Sequence, residues 1–98
     1  MIAVYKTPQA KIDLLDCWLY IATENSPNTA DKVLLKIEKT LSMLSNNPDA
    51  GTSRPELGRN LQSFPTSGYT LFYEHDIKQL TLVRMLHGSM DVGLHLKD

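Results

Sequence analysis

Thr23-Glu24-Asn25-Ser26-Pro27-Asn28-Thr29-Ala30 is the stretch on which the fold turns. Within it, Asn25-Ser26-Pro27 ends one helical pattern and opens another. Ser26 supplies an N-cap oxygen, and Pro27 suits the first helical position because its missing N–H would have no helical partner there. Upstream, from Gln9 to about Glu24, apolar residues recur at helical spacing. Ile12, Leu15, Leu19 and Ala22 line one side, widened by Leu14, Trp18 and Ile21, and Asp13, Asp16 and Tyr20 fall opposite. Thr7-Pro8 gives this helix a cap-and-proline start of its own. Downstream, Ala30, Val33, Leu34, Ile37, Leu41 and Leu44 form an apolar stripe, with Lys32, Lys36 and Lys39 away from it. A connection of so few residues predicts an antiparallel helical hairpin.

Outside the hairpin the period changes. Met1–Lys6 alternates and reads as a short strand. Asn46-Asn47-Pro48-Asp49-Ala50-Gly51 ends the second helix with turn chemistry, and a polar stretch, Thr52–Asn60, follows. Leu61–Phe64, Tyr69–Glu74 and Ile77–His87 read as strands, the last two reversing at His75-Asp76. In the longest, Leu80, Leu82, Arg84 and Leu86 fall on one face and Thr81, Val83, Met85 and His87 on the other, the mark of a central strand. The order β-α-α-β-β-β predicts an α+β fold over a single domain, 1–98. An N-terminal strand and an antiparallel helical hairpin pack with a small, mostly antiparallel sheet. The sheet face away from the hairpin has no evident cover, so a partner is expected there.

Composition narrows the function. Ten Lys and Arg against 11 Asp and Glu give a net charge of -1. Proteins that grip nucleic acid by its phosphates usually carry a basic excess. A single cysteine excludes an intrachain disulfide and points to a reducing, cytoplasmic setting. No apolar run approaches the roughly 18 residues of a membrane span, and the N-terminus lacks a signal peptide's pattern. The glycines are scattered, so no phosphate-cradling loop is present. His75, His87 and His95 lack zinc-ligand spacing. Neither metal nor cofactor is expected, and Cys17 reads as a small buried hydrophobe. Arg84, a charge inside an apolar strand, either pairs with a carboxylate such as Glu56 or Asp91 or meets a partner. His87, Arg84 and Tyr73 can be drawn together as an acid–base nuclease site, though such types at such spacings are common.

The ordered set is more specific than its pieces. The helical hairpin is followed by Asn47-Pro48-x-x-Gly51, Arg54-Pro55-Glu56-Leu57, Phe64-Pro65, Phe72-Tyr73 and Arg84-x-Leu86-His87-Gly88-Ser89-Met90-Asp91. Over nearly the whole chain this resembles ParE, the toxin of ParDE type II toxin–antitoxin modules in the RelE/ParE superfamily. Leu86-His87-x-x-Met90-Asp91 is its most telling part. The resemblance implies the same hairpin-on-sheet fold. It also implies a poison of DNA gyrase that traps the enzyme on cleaved DNA and has no catalysis of its own. A ParD-type antitoxin would neutralise it in a hetero-oligomer and would alone contact operator DNA.

The rival branch, RelE-type ribosome-dependent mRNA cleavers, is basic and carries an arginine near where Met90 stands. The charge balance and Met90 therefore favour the gyrase branch. A non-toxic antitoxin-binding module is the third reading, and Gln62 stands where many relatives have Arg. Under the resemblance, Leu15, Trp18, Tyr69, Leu71, Tyr73, Val83, Arg84 and Met85 are the expected antitoxin-binding residues. His87, Ser89, Met90, Asp91, Leu94 and Leu96 are expected to recognise the target.

Overall fold

A computed structural model of the chain describes residues 2–57 and 60–88. The elements run β1 (Ala3–Lys6), α1 (Pro8–Glu24), α2 (Pro27–Asn46), β2 (Thr52–Ser53), β3 (Gln62–Thr66), β4 (Tyr69–His75) and β5 (Gln79–His87). Short 3-10 turns at Pro48–Ala50 and Pro55–Leu57 interrupt the stretch after α2. The fold is α+β, as the pattern predicts. The addition is β2, a two-residue strand inside the polar stretch.

Both helix starts behave as their chemistry dictates. The Thr7 hydroxyl accepts the Ala10 N–H at 3.1 Å, and the Ser26 hydroxyl accepts the Thr29 N–H at 3.1 Å. Each cap satisfies one of the N–H groups a helix start leaves unpaired, and a proline follows each in the first turn. The sheet order is β1-β5-β4-β3-β2. β1 runs parallel to β5, and the remaining neighbours are antiparallel. β3 and β4 are joined by Ser67-Gly68, both with positive φ (54° and 82°). That is the two-residue hairpin turn whose twist matches a right-handed sheet, and Gly68 adopts it without a Cβ penalty. Between β4 and β5, the Asp76 carboxylate accepts the N–H groups of Lys78 (2.8 Å) and Gln79 (2.9 Å). These two bonds hold its pKa below the ordinary value.

The hairpin covers one sheet face. Ala10, Leu14 and Cys17 from α1 and Ile37, Leu41 and Leu44 from α2 meet Leu71, Tyr73, Leu80, Leu82 and Met85. The Tyr73 hydroxyl lies at the rim of this core, donating to the Pro48 carbonyl at 2.7 Å and accepting the Gly51 N–H at 3.0 Å. A Cβ at Gly51 would collide with that hydroxyl, so the close approach needs glycine.

Two expectations are corrected. The far sheet face is not open: Leu57 and Leu61 fold over it and bury Phe72, Val83 and Leu86 in a second cluster. The alternation expected along β5 also breaks. Phe72 is level with Arg84 but Tyr73 is level with Leu82, so Val83 is an extra residue, a β-bulge. The bulge shifts the side-chain phase. Leu80, Leu82 and Met85 therefore face the hairpin, while Val83 and Leu86 face the second cluster.

Candidate functional site

The site follows from where β1 stops. β1 pairs with β5 only as far as Lys6, level with Leu82. Beyond that point the edge of β5 has lost its strand neighbour, and the start of α1 takes its place. The Thr7 N–H donates to the Leu82 carbonyl at 3.1 Å, and the Thr7 hydroxyl donates to the Val83 carbonyl at 2.8 Å. One turn into α1, the Asp13 carboxylate accepts the Met85 N–H at 3.0 Å. It also accepts a two-pronged contact from Arg84, Nε to Oδ2 at 2.7 Å and Nη2 to Oδ1 at 3.0 Å. The two side chains are only 15% and 9% exposed. Bidentate, charge-assisted geometry with an additional backbone donor is the condition under which a desolvated ion pair holds. Arg84 thus pairs with Asp13; Glu56 sits instead against Arg54 at 3.3 Å, and Asp91 lies outside the described residues. Sequence distance hid this partner, 71 residues away.

These bonds also fix the rotation of α1. Ala10, Leu14 and Cys17 turn inward. Ile12, Leu15 and Leu19, which line one side of the apolar pattern, are 50%, 57% and 49% exposed. Their i, i+3, i+7 spacing makes an apolar ridge on the outer surface of the hairpin. Trp18 is half-buried, its indole N–H donating to Asp31 of α2 at 2.8 Å. Leu35 lies one turn past Asp31 on α2 and is 57% exposed, with the exposed Lys32, Lys36 and Lys39 around it.

On the other flank of α1 a cleft of about 350 Å³ opens against the bare end of β5. Asp13, Asp16, Cys17 and Tyr20 line it from the helix, and Tyr69, Met85 and His87 line it from the sheet. Tyr69 and His87 meet edge to face, ring centroids 5.3 Å apart. The Cys17 thiol and Tyr69 hydroxyl are neighbours in this lining. Burial, then the neighbouring Cys17 thiol, pushes the Tyr69 pKa from 10 up to about 12. Burial likewise raises the Cys17 pKa, with Tyr69 opposing it. Both groups stay neutral at ordinary pH.

The expected antitoxin-binding residues are therefore dispersed. Leu15 is on the exposed ridge, and Trp18 braces the hairpin beside it. Tyr69 and Met85 belong to the cleft. Leu71 and Tyr73 are fully buried, and Val83 is buried in the far cluster, so none of the three lines an open face. Arg84 is held by Asp13. His87 is exposed at the cleft. Ser89, Met90, Asp91, Leu94 and Leu96 lie outside the described residues.

The nuclease set drawn from His87, Arg84 and Tyr73 is not assembled: Tyr73 bonds Pro48 and Gly51, and Arg84 bonds Asp13. Among the described residues no group of three or more His, Cys, Asp or Glu is placed to hold a metal ion. No helix among them is long and apolar enough to cross a membrane. The sequence reading missed Ile12 and Leu19 as surface, and Asp16, Cys17 and Tyr20 as cleft. Their apolar and aromatic spacing was visible, but nothing in it sets the direction a helix faces.

Hairpin, sheet and edge-held first helix together define a small α+β domain whose first helix replaces a strand at the sheet edge. A family model described as the ParE toxin of the type II toxin–antitoxin system parDE matches residues 4–92. The chain belongs to this ParE toxin family. Among solved structures it is similar to the chromosomal ParDE TA system from P. aeruginosa, with a TM-score of 0.76 and 17% sequence identity. That match covers 89% of this chain and 96% of the other, and at this identity it supports the fold. No curated protein matches the sequence.

Proposed function

We propose that this ParE-family protein poisons DNA gyrase by holding it on cleaved DNA, and that a ParD-type antitoxin neutralises it. Family membership over residues 4–92 carries this reading. In it the protein acts in the cytoplasm by binding, without a reaction of its own, and meets operator DNA only through the antitoxin. The antitoxin's apolar anchors dock on the ridge of Ile12, Leu15 and Leu19 beside Trp18. An amphipathic helix seats such anchors at the same helical spacing. Lys32, Lys36 and Lys39, exposed around Leu35, suit acidic residues on the flank of that helix. Target recognition falls to His87 together with Ser89, Met90, Asp91, Leu94 and Leu96.

Two observations weigh against ribosome-dependent mRNA cleavage. Arg84 is already neutralised by Asp13, and the chain has no basic excess. The deciding experiment adds purified protein to gyrase and plasmid DNA. Cleaved DNA should accumulate and supercoiling should fall, and both effects should vanish when the antitoxin is added. Unchanged cleavage and supercoiling, with mRNA cut at ribosome-bound sites after induction, would reject the gyrase reading.

A further inference from the structure

We propose that the cleft between α1 and the bare end of β5 receives a lysine or arginine side chain presented by a basic segment of a partner protein. The size fits one side chain. About 350 Å³ is at the lower end of ordinary ligand pockets, roughly 300–1,000 Å³, and far too small for a helix. The lining fits a cation. Two phenol rings, Tyr20 and Tyr69, line the cleft together with His87 and the polarisable sulfurs of Cys17 and Met85. Aromatic faces attract ammonium and guanidinium groups, most strongly where water is partly excluded.

The charge balance has the matching sign. Asp13 is spent on Arg84. Asp16 is exposed and, among the described residues, makes no ion pair, so its carboxylate leaves the opening negative. An acidic side chain entering here would meet Asp16 directly. An apolar one would strip water from that carboxylate without replacing its hydrogen bonds, which is unfavourable. A cation with an aliphatic stem satisfies both the rings and the carboxylate. Tyr69, kept protonated by burial and by Cys17, offers a neutral wall across the working pH range. The cleft offers the same chemistry whichever partner carries the basic segment, so its affinity for a cation is measurable without antitoxin or gyrase.

The test is a titration of the isotope-labelled full-length protein, followed by NMR at the Tyr20, Tyr69 and His87 rings and the Met85 methyl. The probes are N-acetyl-arginine amide and N-acetyl-lysine amide, with N-acetyl-norleucine amide and N-acetyl-glutamine amide as uncharged controls. The cationic amides should shift these signals saturably, and the controls should not. Asp16→Asn should weaken the cationic amides by up to about fivefold, the range of a single exposed charge pair. Tyr20→Ala should weaken them by about two- to fivefold, as one exposed cation–aromatic contact would. Both positions are exposed, so the fold persists in each variant. Equal shifts from norleucine amide, or binding indifferent to Asp16→Asn, would overturn the proposal.

Discussion

Helix α1 carries two apolar faces, and only one of them is packed. Ala10, Leu14 and Cys17 lie against the sheet, between 0% and 8% exposed. Ile12, Leu15 and Leu19 are just as apolar, yet each is about half exposed. Hydrophobicity alone would choose the second set, because three large side chains bury more area than Ala, Leu and Cys. Polar bonds to β5 decide the matter instead. Thr7 and Asp13 satisfy backbone groups that β1 leaves bare, and Asp13 also neutralises Arg84. An unpaired buried carbonyl or guanidinium costs more than an exposed leucine. The surplus apolar face is then left for a partner.

The sharpest way to break this difference is Asp13→Ala. It strands a mostly buried guanidinium and removes the acceptor for the Met85 N–H, so a loss of about 3–5 kcal/mol is expected in urea unfolding. The double variant Asp13→Ala, Arg84→Met should recover much of that loss, because no buried charge is left without a partner. If the double variant is no more stable than Asp13→Ala alone, the stranded guanidinium is not the source of the loss. Leu14→Ala tests the packed face itself. At 8% exposure it should cost about 2–3 kcal/mol through lost burial and an incompletely filled cavity.

How far the sequence could be read follows from the same contrast. Caps, breaks and β-rich runs are local, so Thr7, Ser26, the hairpin and the three longer strands were legible, the strand ends to within two residues. The rotation of α1 was not, since it rests on contacts between residue 13 and residues 84 and 85. The phase of β5 was also hidden. The bulge at Val83 is visible only in its register with Phe72 and Tyr73, and it sends Met85 inward and Val83 outward. Leu57 and Leu61 sit in a stretch that reads as polar loop, and nothing local announces that they cap the far face. The candidate site inherits these hidden features, because every cleft residue but Tyr69 of β4 is placed by the rotation of α1 or the phase of β5.

Thr7→Ala removes a helix cap and the hydroxyl that serves the Val83 carbonyl. A loss of about 1–2 kcal/mol is expected, measured as a fall in Tm of roughly 4–8 °C per kcal/mol. A pH-dependent effect belongs to the cleft flank. Tyr69 holds its proton to about 12 when folded and to about 10 when unfolded. Between those values the folded state binds more protons than the unfolded state, so stability falls as pH rises from about 10 to about 12. Below pH 10 both states keep the proton and the term is silent. Tyr69→Phe should flatten this alkaline decline in denaturant titrations. A decline unaltered by the substitution would remove Tyr69 as its source.

The smallest effect on stability is expected where the functional effect should be large. Leu15→Asp places a carboxylate at a position 57% exposed, on a helix face that makes none of the core contacts. The unfolded chain solvates both side chains almost as well as the folded one does, so the change should stay within about 0.5 kcal/mol. Leu14→Ala, one residue away, is the internal contrast: same helix, same residue type, but buried where Leu15 is exposed. If the ridge seats antitoxin anchors, a carboxylate at its centre desolvates against an apolar partner and should weaken that complex by well over tenfold. Coexpression reads this directly: cells carrying Leu15→Asp toxin should die despite an antitoxin that rescues the parent protein. Rescue as complete as the parent's, with Tm unchanged, would move the antitoxin off this face and leave the exposed leucines without a role.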